Sequence, residues 1–205
     1  MRILFQGDSI TDCGRNYTND DGFGMGYPMY VMAELAYSEP TEHVYFNRGI
    51  SGNRIVDLYA RMKKDIINLR PDVMSILIGV NDVWHELSEK NGVDADKFYK
   101  IYSMLISEVK EALPELKIMI LEPFVVKGPC TTGHWEYFDT EVKKRAAAAK
   151  RIAEEFSLPF IPLQEGFDKL SEKAPSTYWV ADGVHPTPSG NWFIKNEWIK
   201  AFKAL

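Results

Sequence analysis

Short apolar runs alternate along the chain with longer segments in which apolar residues recur at three- and four-residue spacing. The short runs predict five β-strands, at Arg2 to Gln6, Val44 to Asn47, Val73 to Ile78, Lys117 to Leu121 and Pro159 to Pro162. Two of these runs are almost continuously apolar, as in strands of a sheet that is covered on both faces. The longer segments have the one-sided pattern of surface helices. They predict five helices, at Tyr27 to Tyr37, Ile55 to Leu69, Asp96 to Leu113, Phe138 to Phe156 and Ser189 to Leu205.

This alternation predicts the fold class. Strands that alternate with helices form right-handed crossovers and a parallel sheet with helices on both faces. No internal repeat or compositional shift marks a linker, so residues 1–205 are expected to form one three-layer α/β/α domain. The least regular segments are Cys13 to Gly26, Lys127 to Tyr137 and Pro175 to Pro188. Loops of such length in a compact domain are often functional.

Composition limits the partners. The 205-residue chain is 45% hydrophobic, its net charge is -5, and it has no basic stripe, so neither nucleic acid nor a membrane surface is an expected partner. No apolar run approaches the roughly 20 residues that span a bilayer. The N-terminal apolar stretch is shorter than the core of a signal peptide, and two cysteines are too few for a disulfide framework. We therefore expect a cytoplasmic protein.

Candidate chemistry follows the predicted strands at their carboxyl ends, where open parallel sheets bind ligands. Ser9 comes directly after the first strand, Gly52 after the second and Asn81 after the third. By its position alone, Ser9 is at least as well explained as a helix N-cap. The segment Ala181-Asp-Gly-Val-His-Pro186 adds Asp182 and His185, three positions apart around a glycine. Ester hydrolysis needs a serine nucleophile, a histidine base, an acid that orients the histidine, and donors for the oxyanion, and each part has a candidate here.

With these residues the sequence resembles the SGNH hydrolases, also called the GDSL esterases and lipases. The resemblance covers nearly the whole chain in four ordered blocks, namely Gly7-Asp8-Ser9, Gly52, Gly79-Val80-Asn81-Asp82 and Asp182-Gly183-Val184-His185. It implies a flavodoxin-like sandwich, Ser9 as nucleophile, His185 as general base and then acid, and Asp182 as the residue that orients His185. The oxyanion hole it implies consists of the backbone N–H groups of Ser9 and Gly52 and the side-chain amide of Asn81.

No cofactor or metal is expected. Cys130 and His134 have a spacing that suggests zinc, but only Cys13 remains as a further thiolate, and a structural zinc site needs four ligands. His85 is expected on a loop beside the site with no part in the mechanism.

Within the family, the strings GDSITDCGR, RGISGN and IGVNDVW most resemble intracellular acetylxylan esterases, which deacetylate xylo-oligosaccharides. That resemblance implies a short acyl group on a small carbohydrate. Trp84, Phe124 and Trp179 are candidate sugar contacts, although aromatic residues more often pack in cores or subunit contacts. Asp8 and Arg15 flank Ser9 and are candidates for positioning the nucleophile or contacting the substrate.

Other functions stay open from the sequence. A thioesterase or lysophospholipase of the same family would differ by its preference for longer acyl groups. A flavodoxin-like module that binds phosphate or flavin is disfavoured because neither G-x-x-x-x-G-K-[ST] nor G-x-G-x-x-G occurs. A non-catalytic sugar-binding relative would have little use for Asp182 and His185. A homo-oligomer also stays open, because related esterases often assemble.

Overall fold

A five-stranded parallel sheet lies at the centre of the protein, in a computed structural model that describes residues 1–205. The strands are β1 (Arg2–Gly7), β2 (Val44–Gly49), β3 (Val73–Leu77), β4 (Lys117–Leu121) and β5 (Phe160–Ile161). Their order is β2-β1-β3-β4-β5, and every neighbouring pair is parallel. This is the flavodoxin-like order, so the predicted three-layer α/β/α fold is confirmed.

Nine helices connect and cover the strands. They are α1 (Ser9–Asp12), α2 (Tyr27–Ser38), α3 (Ile55–Asp65), α4 (Val80–Glu89), α5 (Ala95–Ala112), α6 (Trp135–Glu155), α7 (Gln164–Ser171), α8 (Ser176–Trp179) and α9 (Pro188–Phe202). Short 3₁₀ turns occur at Ile67–Leu69 and Thr132–His134. None of the helices combines the length and the apolar character that crossing a membrane would need.

Each face of the sheet has its own hydrophobic core, because successive strand residues point to opposite faces. Ile3 and Phe5 pack with residues of α2 and α9, and the fully buried ring of Trp198 lies 5.4 Å from that of Phe5. Leu4 belongs to the opposite core, which α3, α5 and part of α6 cover. All residues of β3 are buried, which explains its continuous apolar pattern.

Some predicted boundaries were wrong. The helix predicted to reach Leu69 ends at Asp65, because Ile66 leaves helical geometry (φ -130°, ψ -67°) and a 3₁₀ turn follows. The helix predicted from Phe138 begins at Trp135. Four helices, α1, α4, α7 and α8, were not predicted; α1 and α8 have only four residues each, too few for a periodic pattern to be visible.

Candidate active site

Ser9 lies at the carboxyl edge of the sheet, as the first residue of α1 directly after β1. The preceding residue, Asp8, caps this helix: its side chain accepts a hydrogen bond from the backbone N–H of Ile10 at 3.0 Å. Asn81 lies in the first turn of α4, close behind β3. Strands β1 and β3 are neighbours, and the strand order reverses between them. The two residues therefore flank the topological switch point, where open α/β sheets bind ligands.

A continuous chain of hydrogen bonds joins Ser9 to His185 and Asp182. The Ser9 Oγ lies 2.8 Å from His185 Nε2, and His185 Nδ1 lies 2.7 Å from Asp182 Oδ2. Both contacts are satisfied when the imidazole is neutral and carries its proton on Nδ1. Nε2 then accepts from the serine hydroxyl, which is the arrangement that proton removal from a serine requires.

The other oxygen of Asp182 is held by its own loop. Asp182 Oδ1 accepts from the backbone N–H groups of Val184 at 2.9 Å and His185 at 2.8 Å. Partial burial by itself would raise the pKa of Asp182, but the hydrogen bonds from His185 and Val184 outweigh it and lower that pKa below its ordinary value of 3.8. The carboxylate is therefore ionised at neutral pH and can stabilise a proton on the imidazole.

The segment that follows β4 holds this loop in place through backbone hydrogen bonds. The backbone N–H of Val126 donates to the Gly183 carbonyl at 3.0 Å, and that of Cys130 donates to the Asp182 carbonyl at 2.9 Å. Within the loop, Ala181 donates to the carbonyl of His185 at 2.9 Å. These backbone bonds fix the loop, so the position of the imidazole does not depend on exposed side chains alone.

Three N–H groups without a hydrogen-bond partner lie at Ser9 or in the same cleft. As the first residue of its helix, Ser9 has a backbone N–H without a carbonyl partner inside the helix. Gly52, at φ +81°, lies in a turn in a conformation that residues with a Cβ rarely adopt, and its backbone N–H also has no partner in the protein. The Asn81 amide donates one proton to the Asn53 carbonyl at 3.1 Å and keeps the other free. These three groups are the donors that the sequence named as an oxyanion hole.

Asp12, which the sequence analysis missed, ties the serine helix to the turn that contains Gly52. Its Oδ2 accepts from the backbone N–H of Ser51 at 3.0 Å and from the Ser51 hydroxyl at 2.6 Å, and also from the Tyr17 hydroxyl. Burial would raise the pKa of Asp12, but the hydrogen bonds from Ser51 and Tyr17 outweigh it and lower that pKa. A Cβ at Gly49 would lie 2.2 Å from the Asp12 backbone nitrogen, so only glycine permits this approach of β2 to α1.

Asp8 does not contact the cleft, so the expectation that it might bind substrate was wrong. Its side chain is 1% exposed, and its carboxylate caps α1. Burial raises the pKa of Asp8 from 3.8 to about 7. The sequence offered Ser9 as the helix cap, but the cap lies one residue earlier, at Asp8. Nothing in the sequence indicated that Asp8 is completely buried.

The Arg15 side chain also makes its contacts outside the cleft. Its Nε donates to the carbonyl of Gly49 at 2.7 Å, and its guanidinium lies over the ring of Tyr17 at 4.1 Å. It borders a separate cavity with Arg48 and Lys64. Its role in this structure is to support the end of β2, so the suggestion of a substrate contact was wrong.

Of the three aromatic candidates, only Trp84 lies in the cleft with Ser9. Its ring is 6.1 Å from that of His185. Phe124 is fully buried and stacks on Phe167 at 4.4 Å, so it cannot contact a substrate. Trp179 borders a different depression, beside Trp192, and the prediction that it contacts sugar at the Ser9 site was wrong.

The cleft itself has a volume of about 380 Å³ and is open to solvent. Helix α4 lines the cleft with His85, Ser88 and Glu89 in addition to Trp84. His85 was expected on a loop but lies on this helix. The sequence does contain a signal for α4, since Val80, Val83 and Leu87 recur at helical spacing.

Nowhere in the chain do three or more histidine, cysteine, aspartate or glutamate side chains come together as a metal site. The groups that are joined by hydrogen bonds at Ser9 are a hydroxyl, an imidazole and a carboxylate, with amide donors beside them. That set can remove the proton of a serine and stabilise an oxyanion.

Comparison with known proteins places this geometry in a family. The model of the GDSL-like lipase/acylhydrolase family matches residues 5–193. An acetylxylan esterase of Geobacillus stearothermophilus is 32% identical over 97% of this chain and 92% of its own length.

Solved structures give the same result. A protein of Parabacteroides merdae described as a GDSL-like lipase superimposes with a TM-score of 0.93 at 36% identity, covering 98% of this chain and 95% of the other. Two catalytic mutants of the Geobacillus acetylxylan esterase Axe2, one with a serine and one with an aspartate replaced by alanine, superimpose with TM-scores of 0.87 and 0.86. Each is 31% identical, over 98% of this chain and 93% of the other. The chain belongs to the GDSL-like lipase/acylhydrolase family and is a carboxylic ester hydrolase.

Proposed function

We propose that the protein is a serine esterase that removes acetyl groups from xylo-oligosaccharides or related sugars through an acyl-enzyme on Ser9. The observation that carries this proposal is the chain of contacts from Ser9 to His185 at 2.8 Å and from His185 to Asp182 at 2.7 Å. The similarity to Axe2 supports it, because the catalytic mutants of that enzyme replace the same residue types, a serine and an aspartate.

The reaction proceeds in two displacements. The Ser9 Oγ attacks the ester carbonyl while its proton passes to His185 Nε2, and the ester C–O bond then breaks as His185 returns that proton to the departing sugar oxygen. A water molecule next gives a proton to His185 and attacks the acetyl-serine, and the Ser9 oxygen leaves with that proton. The products are the free sugar and acetate. Asp182 stabilises the positively charged imidazolium in both halves of the reaction.

The oxyanion of each tetrahedral intermediate accepts hydrogen bonds from the backbone N–H groups of Ser9 and Gly52 and from the amide of Asn81. These donors have free capacity in the protein, and they line the same cleft as Ser9 and His185. Because they are already oriented, they need no reorganisation when charge develops on the carbonyl oxygen.

The cleft supports a small polar substrate. Trp84 is the one hydrophobic residue among those that line it, and the rest are serine, glycine, asparagine, histidine and glutamate. A long acyl chain would need an apolar channel to leave water. The cleft therefore favours an acetyl ester of a sugar over the long-chain esters and thioesters of a lysophospholipase or thioesterase.

The test is acetate release from acetylated xylo-oligosaccharides, with Ser9→Ala as the folded control. The wild type should release acetate and the variant should not. A series of aryl esters with acyl chains of increasing length, run on the same two proteins, separates the chemistry from the substrate class. Acetate release that survives in Ser9→Ala would refute the mechanism, whereas faster cleavage of long-chain esters would refute the acetyl assignment.

A further inference from the structure

One face of α4 presents polar side chains to the cleft beside Ser9. Trp84 and Ser88 are four residues apart, as are His85 and Glu89, so the two pairs lie on neighbouring lines of the helix surface. All four side chains line the cleft that contains Ser9 and His185. Asn81, a proposed oxyanion donor, lies in the first turn of the same helix, and its side-chain amide donates to the Asn53 carbonyl at 3.1 Å.

Three of these side chains have hydrogen-bonding capacity that the protein does not use. The His85 imidazole and the Glu89 carboxylate make no hydrogen bond or salt bridge within the protein. The Ser88 hydroxyl donates to the Trp84 carbonyl at 3.3 Å and keeps its acceptor positions free. Glu89 and Ser88 are exposed, and His85 is half-buried.

His85 lies beside the turn that contains Gly52. Its Cε1 would be only 3.8 Å from a Cβ at Gly52, and no other protein atom comes within 4 Å of that position apart from the neighbouring His85 Nε2. The imidazole is therefore adjacent to the residue that carries a proposed oxyanion donor, and it lines the same cleft as Ser9.

Trp84 gives this face a rigid apolar element. Its ring packs edge-on against the buried ring of Phe138 at 6.0 Å, which restricts its rotation. An aromatic face beside hydrogen-bonding side chains suits a sugar ring, which has apolar C–H faces and a rim of hydroxyls.

The polar side chains on this face of α4 match the alcohol part of an acetyl ester and do not match its acetyl part. The acetyl methyl group has no use for an imidazole, a hydroxyl and a carboxylate, whereas an alcohol part with further hydroxyls can pair with all three. The charge adds a constraint: the Glu89 carboxylate lines the cleft and has no salt-bridge partner in the protein, whereas Arg54 is paired with Asp57 at 3.0 Å. A carboxylate without a cationic partner disfavours anionic leaving groups.

We infer that this face of α4 is the binding site for the alcohol part of the substrate, with His85 and Glu89 forming hydrogen bonds to free hydroxyls of an uncharged sugar. This inference rests on the proposed function and specifies which residues select the substrate. His85 and Glu89 contact the leaving group and take no part in the proton transfers at Ser9.

The experiment compares two substrates for the same variants. For His85→Ala and Glu89→Gln, kcat and KM are measured on acetylated xylo-oligosaccharides and on an aryl acetate, whose leaving group has no free hydroxyls. On the oligosaccharides, kcat/KM should fall about 3- to 10-fold for His85→Ala and about 10-fold or more for Glu89→Gln, mainly through KM, as expected for the loss of a neutral and a charged hydrogen bond. On the aryl acetate, both variants should lose much less, because its leaving group has no hydroxyl that could pair with either side chain. His134→Ala, an exposed histidine outside the cleft, is the matched control and should match the wild type on both substrates.

Equal losses on both substrates would overturn the inference, since the two residues would then serve the chemistry or the fold. Unchanged values on the oligosaccharides would overturn it as well, as would a wild type that cleaves the aryl acetate but no acetylated sugar. The failure of the proposed function is a different result: neither substrate would be cleaved by the wild type, or cleavage would survive in Ser9→Ala.

Discussion

Asp8 is a buried carboxylic acid directly before the proposed nucleophile, and its replacement by asparagine should make the protein more stable at high pH. Burial raises the pKa of Asp8 from 3.8 to about 7 in the folded protein. An acid whose pKa is higher in the folded state keeps its proton there at a pH where the unfolded chain has already lost it. Stability therefore falls as the pH rises from about 4 to about 7, and the full cost is present above pH 7.

The size of the effect follows from the shift in pKa. A difference of about three units, at 1.36 kcal/mol per unit, corresponds to a cost of about 4 kcal/mol above pH 7. At pH 5 the same two pKa values give a cost of only about 2 kcal/mol, so about 2 kcal/mol of stability is lost between pH 5 and pH 8.5. Asparagine has no proton to lose, and its side-chain oxygen can still cap the Ile10 N–H, which Asp8 holds at 3.0 Å.

Urea unfolding of the wild type and Asp8→Asn at pH 5 and pH 8.5 measures this difference. We expect Asp8→Asn to gain about 2 kcal/mol relative to the wild type on going from pH 5 to pH 8.5. Asp21→Asn, at an exposed position, is the control and should show no such gain. Parallel behaviour of Asp8→Asn and the wild type would show that Asp8 does not titrate in this range, and the argument from burial would be wrong.

Three further substitutions test the remaining parts of the site and its core. Asp182→Asn should lower kcat by roughly 10³- to 10⁴-fold, because asparagine cannot hold the imidazole tautomer that accepts the serine proton, while circular dichroism should show an intact fold. Asn81→Ala should lower kcat by about 10²- to 10³-fold with little change in KM, as expected for a donor used only when the oxyanion forms. Trp198→Ala, at a fully buried ring, should cost about 3–5 kcal/mol in the free energy of unfolding.

Different results would contradict each of these. Aryl acetate hydrolysis within tenfold of the wild type would show that Asp182 does not orient the base. A loss for Asn81→Ala confined to KM would indicate ground-state binding in place of oxyanion stabilisation. Trp192→Ala, at a residue that is 54% exposed on the same helix as Trp198, is the control for the core substitution, and an equal loss of stability in both would contradict the burial argument.

The sequence predicted the central strands of the sheet well because they are buried on both faces. A continuous apolar run such as Lys117 to Leu121 has few alternative explanations, and it coincides with β4. Ser9 and Asn81 could be named because they follow strand ends, and parallel strands place those ends at one edge. Asp182 and His185 follow no strand and were named from their spacing and from the resemblance to the family. The pattern of residues alone gave no distances, so the contacts among Ser9, His185 and Asp182 became visible only in the folded chain.

Predictions about individual side chains failed where the direction of a residue mattered. Phe124 follows the edge where ligands bind, yet its ring turns into the core and stacks on Phe167 from a helix that the sequence did not predict. Trp179 is three residues from Asp182 in sequence but borders another depression. An antiparallel bridge pairs Val180 with Pro186, so Trp179 precedes the turn that carries Asp182. Distance along a loop does not determine which surface a side chain reaches.

Three aspartates near the site are distinguished by their surroundings. Asp8 is buried with one backbone donor, so burial dominates and its pKa rises to about 7. Asp12 and Asp182 are less buried and accept several hydrogen bonds each, which lower their pKa values and keep them ionised. Of the three, only Asp182 contacts the imidazole, while Asp12 holds the turn before Gly52. The same residue type thus serves as a helix cap, as a support for the proposed oxyanion hole and as the partner of the base. Asparagine should therefore have a different effect at each position. At Asp8 it should remove the pH-dependent cost in stability, at Asp12 it should disturb the geometry of the oxyanion hole, and at Asp182 it should impair the base.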